Sequence, residues 1–371
     1  MTAHSPRRRQ PVDYALLALT LALLAFGFLM TYSASAILAD QRFADPWYFV
    51  KRQVAWAFVG LLAMGFLSRT HYHRLREWVW PVVFLTGLVL VAVLFTAPTA
   101  KVRRWIRFGQ LGFQPAEFAK LTVVLFLADY VDRKRSKLAS PLQGVVIPWA
   151  VVGGLLGLIA LEPDLGTPAL LFAVGLVMLF VGGARPVHLA ATLACAIPAL
   201  VFEILRKPYR RERVLNYFSH ASKTPDSGYQ VGQAMLAVGS GGWLGAGLGA
   251  SRLKLLYLPE PHTDFIFPIL CEELGLVGAL AALALFAGLL LRGLRIADRA
   301  PDLFGTLLAT GLTLLVCLQA FVNAAMSIGL LPTKGLPLPF FSYGGSSLLV
   351  SLAAVGVLLN ISRSGQVRRP A

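Results

Sequence analysis

Ten apolar runs, each of roughly 17 to 25 residues, divide this sequence, at 14–32, 50–67, 78–96, 115–130, 143–161, 165–181, 187–205, 265–291, 303–328 and 342–361. At about 1.5 Å of rise per residue, a helix over such a run spans the ~30 Å hydrocarbon core of a bilayer. A chain of 371 residues that is 57% hydrophobic and only 14% charged cannot turn every run toward one soluble core. Backbone groups in hydrocarbon must be satisfied within the segment, so the expected fold is an all-α polytopic membrane protein. One membrane domain is expected over 1–371, with its core at 10–363 and no soluble domain, linker or clear internal repeat.

An even number of spans puts both termini on one side, and the basic residues indicate which. The inner connections would hold Arg7, Arg8 and Arg9, then Arg69, Arg74 and Arg76, then Arg133, Lys134, Arg135 and Lys137, then Arg185, then Arg292, Arg295 and Arg299, and finally Arg363, Arg368 and Arg369. These 17 cations compare with eight in the short outer loops, so both termini are expected in the cytoplasm. The segment 206–263 carries another eight, but loops near that length translocate whatever their charge. It is read as a large extracytoplasmic loop between the seventh and eighth spans. The first run, flanked by Arg7–Arg9 and Ser33-Ala-Ser-Ala36, is too long for a cleaved signal and reads as a retained signal-anchor. The net charge of +16 falls in clusters between apolar runs, which favours lipid phosphate over nucleic acid as the partner. Cys195, Cys271 and Cys317 lie inside apolar runs without metal-ligand spacing, so neither a disulfide nor a metal follows from them.

Within this frame the stretch LPEPHTDFIF at 258–267 leaves Asp264 where a proline-stiffened loop meets an apolar run. One reading is a helix start, with Thr263 or Asp264 as N-cap. The other is a reactive carboxylate at the membrane surface. The outer cluster KVRRWIR at 101–107 opposes the insertion rule. Arg103, Arg104 and Arg107 either snorkel to headgroups or hold a diphosphate, to which guanidinium presents a bidentate fork.

In FQPAEFAK, Pro115 opens a span and puts Glu117 and Lys120 three residues apart on one face. An unpaired charge at that depth costs about 2.5 to 3.5 kcal/mol. Lys120 is therefore expected to be paired, nearest with Glu117, or else with Asp164 or Glu273. EPDLGT at 162–167 is either a turn or part of such a network. Glu272 and Glu273 are intramembrane acids, functional by default. The glycine-rich stretch 239–249 lacks the order of a phosphate-binding P-loop and reads as a re-entrant loop or an anion nest. Irregular backbone such as LPTKGLPLPFFSYGGSS at 331–347 must line protein or a cavity, with Lys334 a further cation for phosphate.

RRW, QPAEFAK, EPDLGT, SGYQ, LPEPHTDFIF with EELG, and LPTKGLPLPFFSYGGSS occur in one order over nearly the whole chain. Together they resemble the shape, elongation, division and sporulation family, the division branch more than the elongation branch. The resemblance implies a peptidoglycan glycosyltransferase that polymerises lipid II outside the cytoplasmic membrane. Its implied partners are a class B penicillin-binding protein transpeptidase and other proteins of the division or elongation complex. It implies Asp264 as the catalytic residue, with Arg104, Trp105, Glu117, Lys120, Asp164 and Lys334 on family motif positions; the expected substrate-binding set is Arg103, Arg104, Trp105, Arg107, Gln230, His262, Thr263, Lys334, Ser342 and Ser346. Glu117, Lys120, Asp164, Glu272 and Glu273 are implied as site-supporting. Pro268 departs from the small residue usual in similar sequences and is expected to kink the helix below Asp264.

Glycosyl transfer between lipid-linked sugars needs a base for the acceptor hydroxyl and a stabiliser for the departing diphosphate. Asp264 is assigned the first role, and the outer arginines with Lys334 the second, assisted by a divalent cation (Mg or Mn) and without a nucleotide. A single carboxylate favours inversion by direct displacement. The rival readings are a lipid flippase, which would depend on the deep charges at Lys120, Glu272 and Glu273, and a non-catalytic scaffold that recruits the transpeptidase.

Overall fold

A computed structural model describes residues 12–96, 103–108, 111–207, 210–211, 227–252, 254, 263–332 and 335–364. Helices form over all ten apolar runs: α1 (Tyr14–Phe43), α2 (Tyr48–Arg69), α3 (Val79–Leu94), α4 (Pro115–Arg133), α5 (Ile147–Leu161), α6 (Gly166–Val181), α7 (Pro186–Arg206), α9 (Ile266–Asp298), α10 (Leu303–Ser327) and α11 (Gly345–Ser364). One further helix, α8 (Ser227–Ser240), lies in the segment read as a loop. Seven are long and apolar enough to cross a membrane: α1, α2, α5 with its preceding turn, α7, α9, α10 and α11. α3 and α6 are shorter, at 16 residues each. α4 carries Glu117, Lys120, Asp129, Asp132 and Arg133 and is sheltered by its neighbours.

The bundle is organised from the inside out by α11, α10 and α4. α11 is buried along nearly its whole length and packs most extensively on α2, while α10 packs on α9, α4 and α6. α7 buries no side chain. A largely apolar helix with so little protein cover is stable in lipid or against another apolar surface.

Three local features differ from the sequence expectations. The helical fold expected carries one local addition, a two-stranded antiparallel hairpin, β1 (Ile106–Phe108) and β2 (Leu111–Phe113), in which Ile106 pairs with Phe113 and Phe108 with Leu111. α1 continues eleven residues beyond Tyr32, because its hydroxyls are absorbed rather than solvated. Ser35 Oγ donates to the Thr31 carbonyl at 2.7 Å, and Ser33 Oγ donates to Glu273 at 2.6 Å. The kink expected at Pro268 is absent, since Pro268 lies in the first turn of α9, where a missing N–H breaks no helical bond. The break falls at Gly275, with φ 64° and ψ −163°, a conformation essentially restricted to glycine.

The glycine-rich stretch is what meets α9 at that break. A Cβ on Gly275 would lie 2.4 Å from the Gly245 nitrogen and 2.5 Å from the Trp243 carbonyl oxygen. The Ala246 and Gly247 amides donate to the Glu272 and Glu273 carbonyls at 2.9 and 3.0 Å. Glu273 takes Lys254 Nζ at 2.9 Å, and Glu272 accepts from Ser251 Oγ at 2.5 Å and the Arg252 amide at 2.9 Å. The two acids expected in the span therefore fasten the glycine-rich stretch to α9, and Ser33 ties in α1. They form a closed network rather than a path.

The two ends of the bundle differ in chemistry. Where α4 ends and α10 begins, Arg76 and Arg133 both bond Asp129 at 2.8 Å, Arg76 also reaches Asp132, and Tyr72 Oη donates to Asp302 at 3.0 Å. The opposite end, where α4 begins and α10 stops, gathers the irregular loops that carry Asp264.

Candidate active site

Residues 335–344 run as irregular backbone inside the bundle mouth, where side chains of α1, α2 and α10 donate to their carbonyls. Thr31 Oγ1 donates to the Phe341 carbonyl at 2.8 Å, and Gln53 Nε2 donates to the Ser342 carbonyl at 3.1 Å. Leu336, Leu338, Phe340, Phe341 and Ser342 are buried. Gly27 admits this loop, since a Cβ there would lie 2.1 Å from the Phe340 carbonyl oxygen. Phe340 itself has φ 67°, an unfavourable value for a bulky residue that the surrounding packing imposes.

Asp264 sits directly before α9. The helix starts here as expected, but the N-cap position is held by Phe265 rather than by Thr263 or Asp264. Two side chains fix the backbone there. Asn323 Nδ2 donates to the Asp264 carbonyl at 3.0 Å and to the Leu336 carbonyl at 2.7 Å, while Ser342 Oγ donates to the Thr263 carbonyl at 2.5 Å and accepts from the Leu338 amide at 2.8 Å. The carboxylate itself lies beside Gly335: a Cβ there would be 3.1 Å from Asp264 Oδ2 and 4.0 Å from Arg104 Nη1. An anionic and a cationic side chain thus approach one α-carbon that has no side chain to separate them.

The hairpin presents Arg104. Trp105 packs its ring edge 3.3 Å from where a Gly112 Cβ would stand, and Ser346 Oγ accepts from the Gln114 amide at 3.0 Å, which ties the hairpin to the start of α11. Arg104 is half-buried, with its Nε shielded and unbonded among the described residues. Arg103 is exposed and donates to the Leu94 carbonyl at 3.0 Å, which caps α3. Arg107 lies in β1 by its backbone, and Gln230 in α8. The side chains of Arg107 and Gln230, and all of His262 and Lys334, lie outside the described residues.

Lys120 is 1% exposed, and its Nζ bonds Glu117 Oε1 at 2.6 Å and Gln319 Oε1 at 2.7 Å. The Glu117 pairing expected from the three-residue spacing is the one present. Asp164 is engaged elsewhere, capping α6 through the Gly166 and Thr167 amides at 2.9 and 3.1 Å. Gln319 and Asn323 were not singled out in the sequence. The available signal was a pair of amides four residues apart in an otherwise apolar span, since polar groups at membrane depth face protein or a cavity. Asn323 Oδ1 is buried and unbonded among the described residues, an imbalance that typically costs about 1–3 kcal/mol.

Glu162, in the hairpin between α5 and α6, is fully buried with neither carboxyl oxygen hydrogen-bonded among the described residues. Burial pushes its pKa up to about 8, Asp164 adds in the same direction, and Arg104 opposes. Its proton is therefore held more tightly in the folded chain than in the unfolded one. Stability is greatest below the ordinary value of 4.5 and declines as pH rises from there to about 8. Glu162→Gln, a neutral isostere, is expected to flatten the melting temperature over that window, which thermal unfolding across pH measures directly.

Among the described residues no group of three or more His, Cys, Asp or Glu side chains is placed to hold a metal. The site offers a carboxylate, a guanidinium and an irregular, protein-lined mouth.

Known proteins are similar to this chain over nearly their whole lengths. Stage V sporulation protein E of Bacillus subtilis is 42% identical over 355 residues, covering 95% of this chain and 97% of that protein. The probable peptidoglycan glycosyltransferase FtsW of Trichlorobacter lovleyi is 40% identical over 360 residues, covering 96% and 94%. Among solved structures, a chain of a peptidoglycan synthase complex that coordinates polymerization and crosslinking superposes with a TM-score of 0.79 at 30% identity, covering 95% of this chain and 98% of that one. The rod shape determining protein RodA of Thermus thermophilus superposes with a TM-score of 0.68 at 28% identity, covering 95% and 97%. The family model for FtsW, RodA and SpoVE, described as cell cycle protein, matches residues 14–367, and the chain belongs to that family.

Proposed function

We propose that this chain is a peptidoglycan glycosyltransferase of the division type, polymerising lipid-linked disaccharide-peptide units of lipid II on the outer side of the cytoplasmic membrane. The observation that carries this reading is the approach of both Asp264 and Arg104 to Gly335. Asp264 takes the proton from the acceptor sugar hydroxyl as its oxygen attacks the anomeric carbon of the donor. The bond from that carbon to the diphosphate breaks, and the lipid diphosphate leaves with its charge met by Arg104. Lys334 and Arg107 are assigned to the same anion, and Gln230 and His262 to the sugars. Neither neighbouring acid suits a covalent glycosyl intermediate, because Asp164 caps α6 and Glu162 is buried and protonated, so the anomeric centre inverts. A divalent cation (Mg or Mn) bound at the diphosphate would share its developing charge with Arg104.

Both termini are assigned to the cytoplasm and 206–263 to the outside, on the basic-residue asymmetry. Ser222→Cys in the outer loop is then expected to react with an impermeant thiol reagent in intact cells. Labelling only after the membrane is opened would invert the topology and move the site to the other face. A class B penicillin-binding protein is the partner proposed, since crosslinking accompanies polymerization in the similar complex.

Arg104→Lys is the informative test of the diphosphate role, because it keeps the charge and removes the bidentate fork. Weaker lipid II binding by about 10-fold is expected, with an unchanged melting temperature. Unaltered binding and turnover would assign the residue to headgroup anchoring.

A further inference from the structure

We infer that Gln319 and Asn323, one turn apart on α10, are positioning residues through which the buried Glu117–Lys120 pair sets the place of Asp264. The inference rests on the reading of Asp264 as the reacting group. Its basis is the direction of the hydrogen bonds. An ammonium can only donate, so Lys120 forces the Gln319 oxygen toward itself at 2.7 Å. The amide nitrogen must then face away, where it donates to the Pro337 carbonyl at 2.7 Å. Lys120, held by Glu117 at 2.6 Å, thereby fixes which way the amide points and with it one side of the loop at 335–338.

Asn323 repeats the device one turn further along. Both protons of its amide nitrogen go to carbonyls that belong to different segments, Leu336 of the irregular loop and Asp264 before α9. Those two segments carry the two sides of the site, Gly335 and the carboxylate, whose spacing is 3.1 Å at the position of a Gly335 Cβ. Gln319 and Asn323 are 3% and 0% exposed, so neither touches substrate from outside. Asn323 keeps its bridging orientation although its own oxygen is left unbonded among the described residues. An ordinary packing residue has no reason to do so. The chain of contacts runs Glu117, Lys120, Gln319, Pro337 on one rail and Asn323 across to Asp264 on the other.

The test uses the full chain in lipid nanodiscs with three variants. Gln319→Glu keeps the shape and the Lys120 contact but loses the donor to Pro337. Asn323→Asp loses both donors at nearly constant shape, and Thr313→Val, elsewhere on α10, is the control. Amide hydrogen exchange should rise about 10-fold in peptides covering 263–267 and 335–342 for the first two, with no change elsewhere and none in the control. In lipid II polymerisation with the transpeptidase partner, kcat should fall by about 10²-fold while KM holds, as expected when a reacting group is misplaced by about 1 Å. Unchanged exchange at both segments, or a rise spread over the whole molecule, overturns the inference whatever the activity. Full kcat in both variants also overturns it. If the unmodified chain polymerises nothing, the functional reading fails instead, and the exchange result still decides the positioning role.

Discussion

Asp264→Asn is expected to lower polymerisation of lipid II by about 10²- to 10⁴-fold, the usual contribution of a positioned general base. The amide preserves size and can still lie beside Gly335, but it cannot accept the proton of the acceptor hydroxyl. Stability should change little, because Asp264 is not the N-cap of α9 and the bond from Asn323 goes to the backbone carbonyl. Binding of lipid II should survive as well, since the proposed contacts to the diphosphate are the cations. The informative comparison is therefore turnover against melting temperature in one preparation. Lost turnover with an unmoved melting transition is the signature of the base, whereas a parallel loss of both would return Asp264 to a structural role.

The second large effect is expected at Lys120. Lys120→Met removes one member of a pair whose side chains are 1% and 4% exposed, leaving Glu117 and the Gln319 oxygen without their donor. Breaking such a pair destabilises by about 3–5 kcal/mol. The double variant Glu117→Gln with Lys120→Met discards both charges and should recover most of that stability. It should not recover activity, because nothing then fixes the Gln319 amide toward Pro337. Recovery of activity along with stability would reduce the pair to a packing element.

Much of this architecture was legible because the bilayer makes length and apolar content decisive. The ten runs became ten helices, and the three-residue spacing of Glu117 and Lys120 gave their contact. Asp264 stood out as a carboxylate at a loop-to-span junction. The features that escaped depend on tertiary contacts with no local signature. Three-residue strands are too short for a period-two pattern, so the hairpin that presents Arg104 did not declare itself. Pro268 looked like the breaker in α9, yet its place in the first turn makes it harmless, while Gly275 is bent by the approach of Trp243 and Gly245 from a distant loop. Glu272 and Glu273 read as deep functional acids until that same loop supplied Ser251, Arg252 and Lys254 as partners. Gln319 and Asn323 looked like minor interruptions of an apolar span, and only the return of 335–342 into the bundle gives them carbonyls to hold.

The flippase reading would draw its support from the charges at membrane depth. In the folded chain each is closed by protein partners: Lys120 by Glu117 and Gln319, Glu273 by Lys254 and Ser33, and Glu272 by Ser251. This pattern suits a rigid scaffold beneath the site.

The central claim is that this chain forms glycosidic bonds, and it is tested most directly by supplying the purified protein and its class B penicillin-binding protein with lipid II and resolving the products by length. The account predicts glycan strands from the unmodified chain and none above background from Asp264→Asn at equal protein and equal melting temperature. Strands of the same length and yield from both proteins, or from neither, would contradict it.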